Sequence, residues 1–184
     1  LFMRMKTKLL LLLIFCSISL LINAQTYFEY NGYRYVTYWS ETNGNDATAT
    51  WEGVAENNTV PANLVLPTST IYHYTKWVNG VQVHKSKQLT VKDASVPSYD
   101  NLQTVYVPDS YNSVRGFNHC PNLTSVYLGC KIATSFNHCP NLTHLTVGPN
   151  FRRINGYEGN TTFLETYNLK ELTWNAISAE KGNF

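Results

Sequence analysis

The sequence predicts a mainly β chain, a short solenoid of leucine-bearing repeats behind a β-rich N-terminal cap region, and three observations carry that expectation. One phrase is written twice: Gly116-Phe-Asn-His-Cys-Pro-Asn-Leu-Thr-Ser-Val-Tyr-Leu128 and Ser135-Phe-Asn-His-Cys-Pro-Asn-Leu-Thr-His-Leu-Thr-Val147 share eight identical residues from Phe to Thr, at an offset of 136 − 117 = 19. A looser form recurs on both sides, with Asn-Leu at 101–102, 122–123, 141–142 and 168–169 and leucine spacings of 21, 19 and 27. Self-similarity at such a period marks stacked units, each completing its neighbour's core. The third observation is two Asn-Gly pairs, 31–32 and 79–80, each between alternating apolar stretches, as hairpins with a two-residue turn require.

Residues 1–24 read as a leader. Arg4, Lys6 and Lys8 precede the apolar run Leu9 to Leu21, and Ala24 offers a small residue for cleavage before Gln25, the order of a secretory signal. The run is too short to span a bilayer comfortably, and no second one follows, so no stable membrane span is expected after cleavage. Without these residues the chain holds 11 Lys+Arg (14 − 3) against 12 Asp+Glu. That balance gives no reason to expect nucleic acid or an anionic membrane as partner. Three cysteines remain, Cys120, Cys130 and Cys139, an odd number that does not read as a disulfide framework.

From residue 25 to 95 the texture is β. Phe28-Glu-Tyr30 and Tyr33-Arg-Tyr35-Val36 flank the first Asn-Gly, and Trp77-Val78 and Val81-Gln-Val83 flank the second. Ala47 to Trp51, Leu64 to Leu66 and Leu89 to Val91 supply further short strands, and no window before Val96 has the 3.6-residue spacing of a helix.

From 96 to 184 about four repeats take over. Their expected core is Leu102, Val105 and Val107; Phe117, Cys120, Leu123, Val126 and Leu128; Phe136, Cys139, Leu142, Leu145 and Val147; and Phe163, Leu169, Leu172 and Trp174. The residues between them stand on the outer face of short strands. The surplus in the longest spacing falls in Asn155 to Asn160, a turn-rich run that reads as an inserted loop.

The repeated phrase resembles the BspA-like leucine-rich repeat, whose units run from an aromatic through small polar residues, a cysteine and a leucine to a Val/Ile-rich strand. The stretches Tyr30 to Tyr35, Ala47 to Gly53 and Leu64 to Ile71 resemble the lead-in of such proteins. This chain departs from the pattern at Gly129, where a proline is usual, and at Thr166, where a cysteine is usual. The resemblance implies a short leucine-rich-repeat solenoid in a secreted or cell-surface recognition protein, with adhesion as its role and no catalysis.

The outward columns are therefore the candidate site for a protein or glycan ligand outside the cell. They comprise Thr104, Ser125, His144 and Glu171 in one column and Tyr106, Tyr127 and Thr146 in the next. Tyrosines can pack into a partner or stack on sugar rings, or can merely stabilise the sheet as cross-strand pairs. A second reading is a carbohydrate-binding β module using Tyr27 to Trp39. The duplicated His119-Cys120 and His138-Cys139 invite zinc or a thiol nucleophile. The absence of Cys-x-x-Cys spacing and the core-like setting of the cysteines argue against both. No metal, cofactor or catalytic residue is expected, and a Cys120 to Cys139 bridge stays open.

Overall fold

The computed structural model describes residues 25–42, 45–134, 136–154 and 163–177. The expected leader, the inserted loop at 155–160 and the tail from 178 lie outside them. The described residues form thirteen β-strands and no helix, so the chain is mainly β as its sequence predicts.

Both Asn-Gly pairs make hairpins. Strand β1 (Thr26–Tyr30) pairs antiparallel with β2 (Tyr33–Thr37), and β5 (Ser69–Val78) pairs with β6 (Val81–Val96) over ten residue pairs. Asn31 and Gly32 take φ of 49° and 77°, and Asn79 and Gly80 take 50° and 79°. Two successive residues in the left-handed region give the turn whose twist matches its strands.

Strand β2 pairs antiparallel with β3 (Thr48–Val54), and from β3 onward every ladder except the β5–β6 hairpin is parallel. Strands β3, β6, β8 (Ser113–Gly116), β10 (Ile132–Ala133) and β12 (Arg153–Ile154) continue one sheet. Strands β4 (Asn63–Val65), β7 (Thr104–Val107), β9 (Ser125–Leu128), β11 (His144–Val147) and β13 (Glu171–Trp174) make the other, ordered β13-β11-β9-β7-β4. From β6 the chain alternates between the two sheets at each strand. The parallel ladder begins upstream of residue 96: β3 already lies beside β6, and β4 beside β7.

The core lies between the sheets. Leu64, Val105, Val126 and Leu145 share one register position, and Val107, Leu128 and Val147 share another; all are buried. Leu102, Leu123 and Leu142 are fully buried, and Phe117 stacks on Phe136 with centroids 4.9 Å apart. Each such leucine stabilises the fold by about 1.5–3 kcal/mol relative to exposure. Leu172 departs from the expected core, being 53% exposed although in register with Leu145. Strand β13 is the outermost of its sheet among the described residues, so no described strand covers this leucine. Phe163, Leu169 and Trp174 are half-buried at the same end.

Candidate functional site

Almost every letter of the duplicated phrase has a structural partner in a neighbouring repeat. Phe136 stacks on Phe117 and on Phe163. The Asn118 amide oxygen accepts from the Asn137 N–H at 3.1 Å, and that of Asn137 from the Leu164 N–H at 3.0 Å. The Asn122, Asn141 and Asn168 amides donate to the carbonyls of Asp100, Pro121 and Pro140 at 2.7, 2.7 and 2.6 Å. The Thr124 and Thr143 hydroxyls donate to the carbonyls of Gln103 and Thr124 at 3.0 and 3.1 Å.

His119, His138 and Glu165 hold one turn position, each at φ of 54–56°. His is among the residues that enter this region more readily than most. There the His119 and His138 N–H groups reach the carbonyls of Asn137 and Leu164 at 3.0 and 2.7 Å. The two imidazoles stack at 4.3 Å, and His138 Nδ1 lies 2.8 Å from Glu165. No cluster of three or more metal-ligating side chains occurs among the described residues.

The cysteines beside these histidines face inward. Cys120, Cys130 and Cys139 are free thiols with no exposed surface. Cys139 Sγ donates to the Phe117 carbonyl at 2.7 Å, and Thr166 donates in the same way to the carbonyl of Phe136. Thr166 therefore makes the contact that Cys139 makes one repeat earlier. The neighbouring Cys120 thiol, with burial, pushes Cys139 up, while Cys139 lowers Cys120 to about 7. Burial pushes Cys130 up to about 12.

The outward face of the five-stranded sheet brings the expected surface residues together. Thr104, Ser125, His144 and Glu171 are in register, as are Tyr106, Tyr127, Thr146 and Thr173. In the first column Thr104 Oγ1 donates to Asn63 Oδ1 at 2.7 Å, and His144 lies 2.8 Å from Thr143 Oγ1 and 3.6 Å from Glu171. In the second, Tyr106 and Tyr127 stack at 4.7 Å with an interplanar angle of 6°. The Tyr127 hydroxyl donates to Asp109 at 3.0 Å. Partial burial and that carboxylate push the Tyr127 phenol up to about 12. A side chain at Gly148 would meet that hydroxyl at 2.8 Å, so the glycine keeps the pair seated.

Strand β4 extends this face, which sequence reasoning did not foresee. Val65, in register with Tyr106, is 62% exposed and lengthens the tyrosine ridge by one strand. The available signal was Asn63-Leu64, which is followed by Pro67 and Ser69 where the other units carry the apolar residues of their strand.

The aromatic region Tyr27 to Trp39 is largely packed away. Tyr35 is buried against Phe28 at 5.3 Å, Tyr33 meets Trp51, Tyr30 meets His73, and Trp39 meets Tyr72 and Tyr74. Tyr27 and Tyr38 remain exposed. Comparison with known protein families, with curated proteins and with solved structures finds no match for this chain.

Proposed function

We propose that the chain is a non-catalytic recognition and adhesion protein, secreted or held at the cell surface. On this reading it is a short leucine-rich-repeat solenoid of the BspA-like kind, and it binds a protein partner through the outward face of the five-stranded sheet. The in-register parallel ladders and the buried leucines at spacings of 21 and 19 residues support the repeat reading. The basic, then apolar, then small-residue order of residues 4–24 supports export.

The observation that carries the binding reading is the ridge Val65–Tyr106–Tyr127. It joins two rings and a valine on three adjacent strands, beside a column of hydrogen-bonding groups. Its geometry favours protein over glycan. Each ring has one face covered by the other at 4.7 Å, which leaves less of the open face on which a sugar stacks. What the ridge presents is ring edges, a methyl-bearing side chain and polar neighbours, the mixture of a protein interface. The histidines and cysteines of the repeats have structural partners, which supports a role without catalysis.

The test screens immobilised extracellular-matrix proteins and glycans with the chain and with Tyr106→Ala/Tyr127→Ala. Losing two central aromatic anchors is expected to weaken a bound protein about tenfold or more, while Tyr38→Ala, off this face, leaves it unchanged. Binding untouched by the double substitution removes the proposed face, and loss confined to glycans makes the carbohydrate reading the correct one.

A further inference from the structure

The β5–β6 hairpin is a two-stranded ribbon with an apolar tip, and the geometry points to that tip as a contact with an anionic lipid surface. Trp77 is 72% exposed, Val81 62% and Val78 38%, around the Asn79-Gly80 turn. The register places Val78 and Val81 on one face and Trp77 on the other. A flat partner would cover one face of such a wedge and leave the other wet. A fluid interface surrounds both.

Charge selects the kind of interface. No acidic residue occurs between Glu56 and Asp93, while Lys76, Lys85, Lys87 and Lys92 do. Lys76 pairs with Val83, so the first lysine stands one strand step, about 3.3 Å of backbone, behind Trp77 and Gln82. Glu41 is the acid that reaches this region, holding Lys76 at 2.6 Å and Lys85 at 3.2 Å, and Lys87 lies 5.5 Å over the Trp39 ring. Three lysines against one carboxylate leave the ribbon cationic, although the chain after its first 24 residues is near neutral. An aromatic tip with lysines just behind it matches a bilayer's apolar boundary and its anionic headgroups.

Depth follows from backbone chemistry. Val78 pairs with Val81 across the turn and Trp77 with Gln82 behind it, and only alternate pairs of an antiparallel ladder exchange bonds, so just part of the tip's backbone is satisfied within the ribbon. The outer edges of a two-stranded ribbon have no partners, and unpaired amides are costly in hydrocarbon. Insertion therefore stops at the interface, within roughly 5–10 Å. The ribbon is already ordered by Glu41, which also accepts from the Tyr74 hydroxyl at 2.8 Å, and by the rings of Trp39, Tyr72 and Tyr74.

The test measures co-sedimentation of the full chain with phosphatidylglycerol/phosphatidylcholine vesicles and with pure phosphatidylcholine vesicles. Trp77→Ser/Val78→Ser/Val81→Ser is expected to lower partition into the anionic vesicles about tenfold or more. Residues 1–24 are common to both chains, so the ratio reports the ribbon. Chain-brominated lipids are expected to quench tryptophan emission in the native protein, and Trp77→Phe is expected to abolish that quenching. Equal partition of native and triple-serine chains, no preference for anionic vesicles, or quenching that survives Trp77→Phe would overturn the inference. A triple-serine variant that turns a dimer into a monomer, with vesicle binding unchanged, assigns the tip to a contact between copies instead.

Discussion

The side-chain amide of Asn141 donates to the carbonyl of Pro121, one repeat back, at 2.7 Å, and Asn122 and Asn168 repeat the contact. The position is exposed, so the bond competes with water and is worth about 1 kcal/mol. Asn141→Ala is expected to cost about that much, and the pair Asn122→Ala/Asn141→Ala about twice it, read as a shift in urea midpoint. No shift in either variant would reduce the ladder to an ornament of the repeat.

Phe136 lies between Phe117 and Phe163 and has no exposed surface. Phe136→Ala removes both stacks and leaves a cavity, at an expected cost of about 3–5 kcal/mol. Tyr106→Ala, on the outer face, loses one cross-strand pair and is expected to cost about 1 kcal/mol or less. Equal losses in equilibrium unfolding would contradict the inward and outward assignment of the two rings.

The buried acids of the core make stability fall at alkaline pH. Burial pushes Cys130 up to about 12 from 9.0, and burial chiefly pushes Tyr35 up to about 12 from 10.0. Above their ordinary values the unfolded chain gives up these protons while the folded chain keeps them. Their contribution is thus complete below pH 9 and shrinks as the pH climbs toward 12. Unfolding followed from pH 7 to 11 is expected to show this decline. Flat stability across that range would contradict it. The same burial is expected to make Cys120, Cys130 and Cys139 slow toward a bulky thiol reagent until denaturant is added. Rapid native modification of Cys120 would instead favour a thiol-based activity.

Glu41 has the opposite sign. The Lys76 ammonium and the Tyr74 hydroxyl hold its carboxyl down at about 2 from 4.5. Its contribution is present above pH 4.5 and is lost as the pH falls through about 2. Glu41→Gln is expected to speed amide exchange in β5 and β6 at pH 7 with little change in global unfolding. Exchange that stays as slow as in the native chain would show that the ribbon does not depend on this carboxylate.

Legibility from sequence followed how local each signal was. Asn-Gly turns depend on two adjacent residues, and both hairpins were readable. The repeat strands carry two or three inward residues, so Val105, Val126 and Leu145 declared themselves. Strands β8, β10 and β12 each present one inward residue, Val114, Ala133 and Ile154, and a single residue shows no alternation. The second sheet was therefore invisible, as was the pairing of β4, which was legible as a short strand at Leu64 to Leu66 but whose neighbour β7 follows the whole ribbon. His119 and His138 suggested chemistry because residue type alone does not reveal a positive φ.

Strand β6 is one continuous piece of backbone. Its first ten residues, Val81 to Thr90, zip to β5, and its remainder lies parallel between β3 and β8. A tug on the Asn79-Gly80 turn, directed along β6, would load both parallel ladders in shear, so that their bonds strain together instead of peeling singly. If the tip grips a surface, the molecule is mechanically strongest along the direction in which flow or a moving cell would pull it.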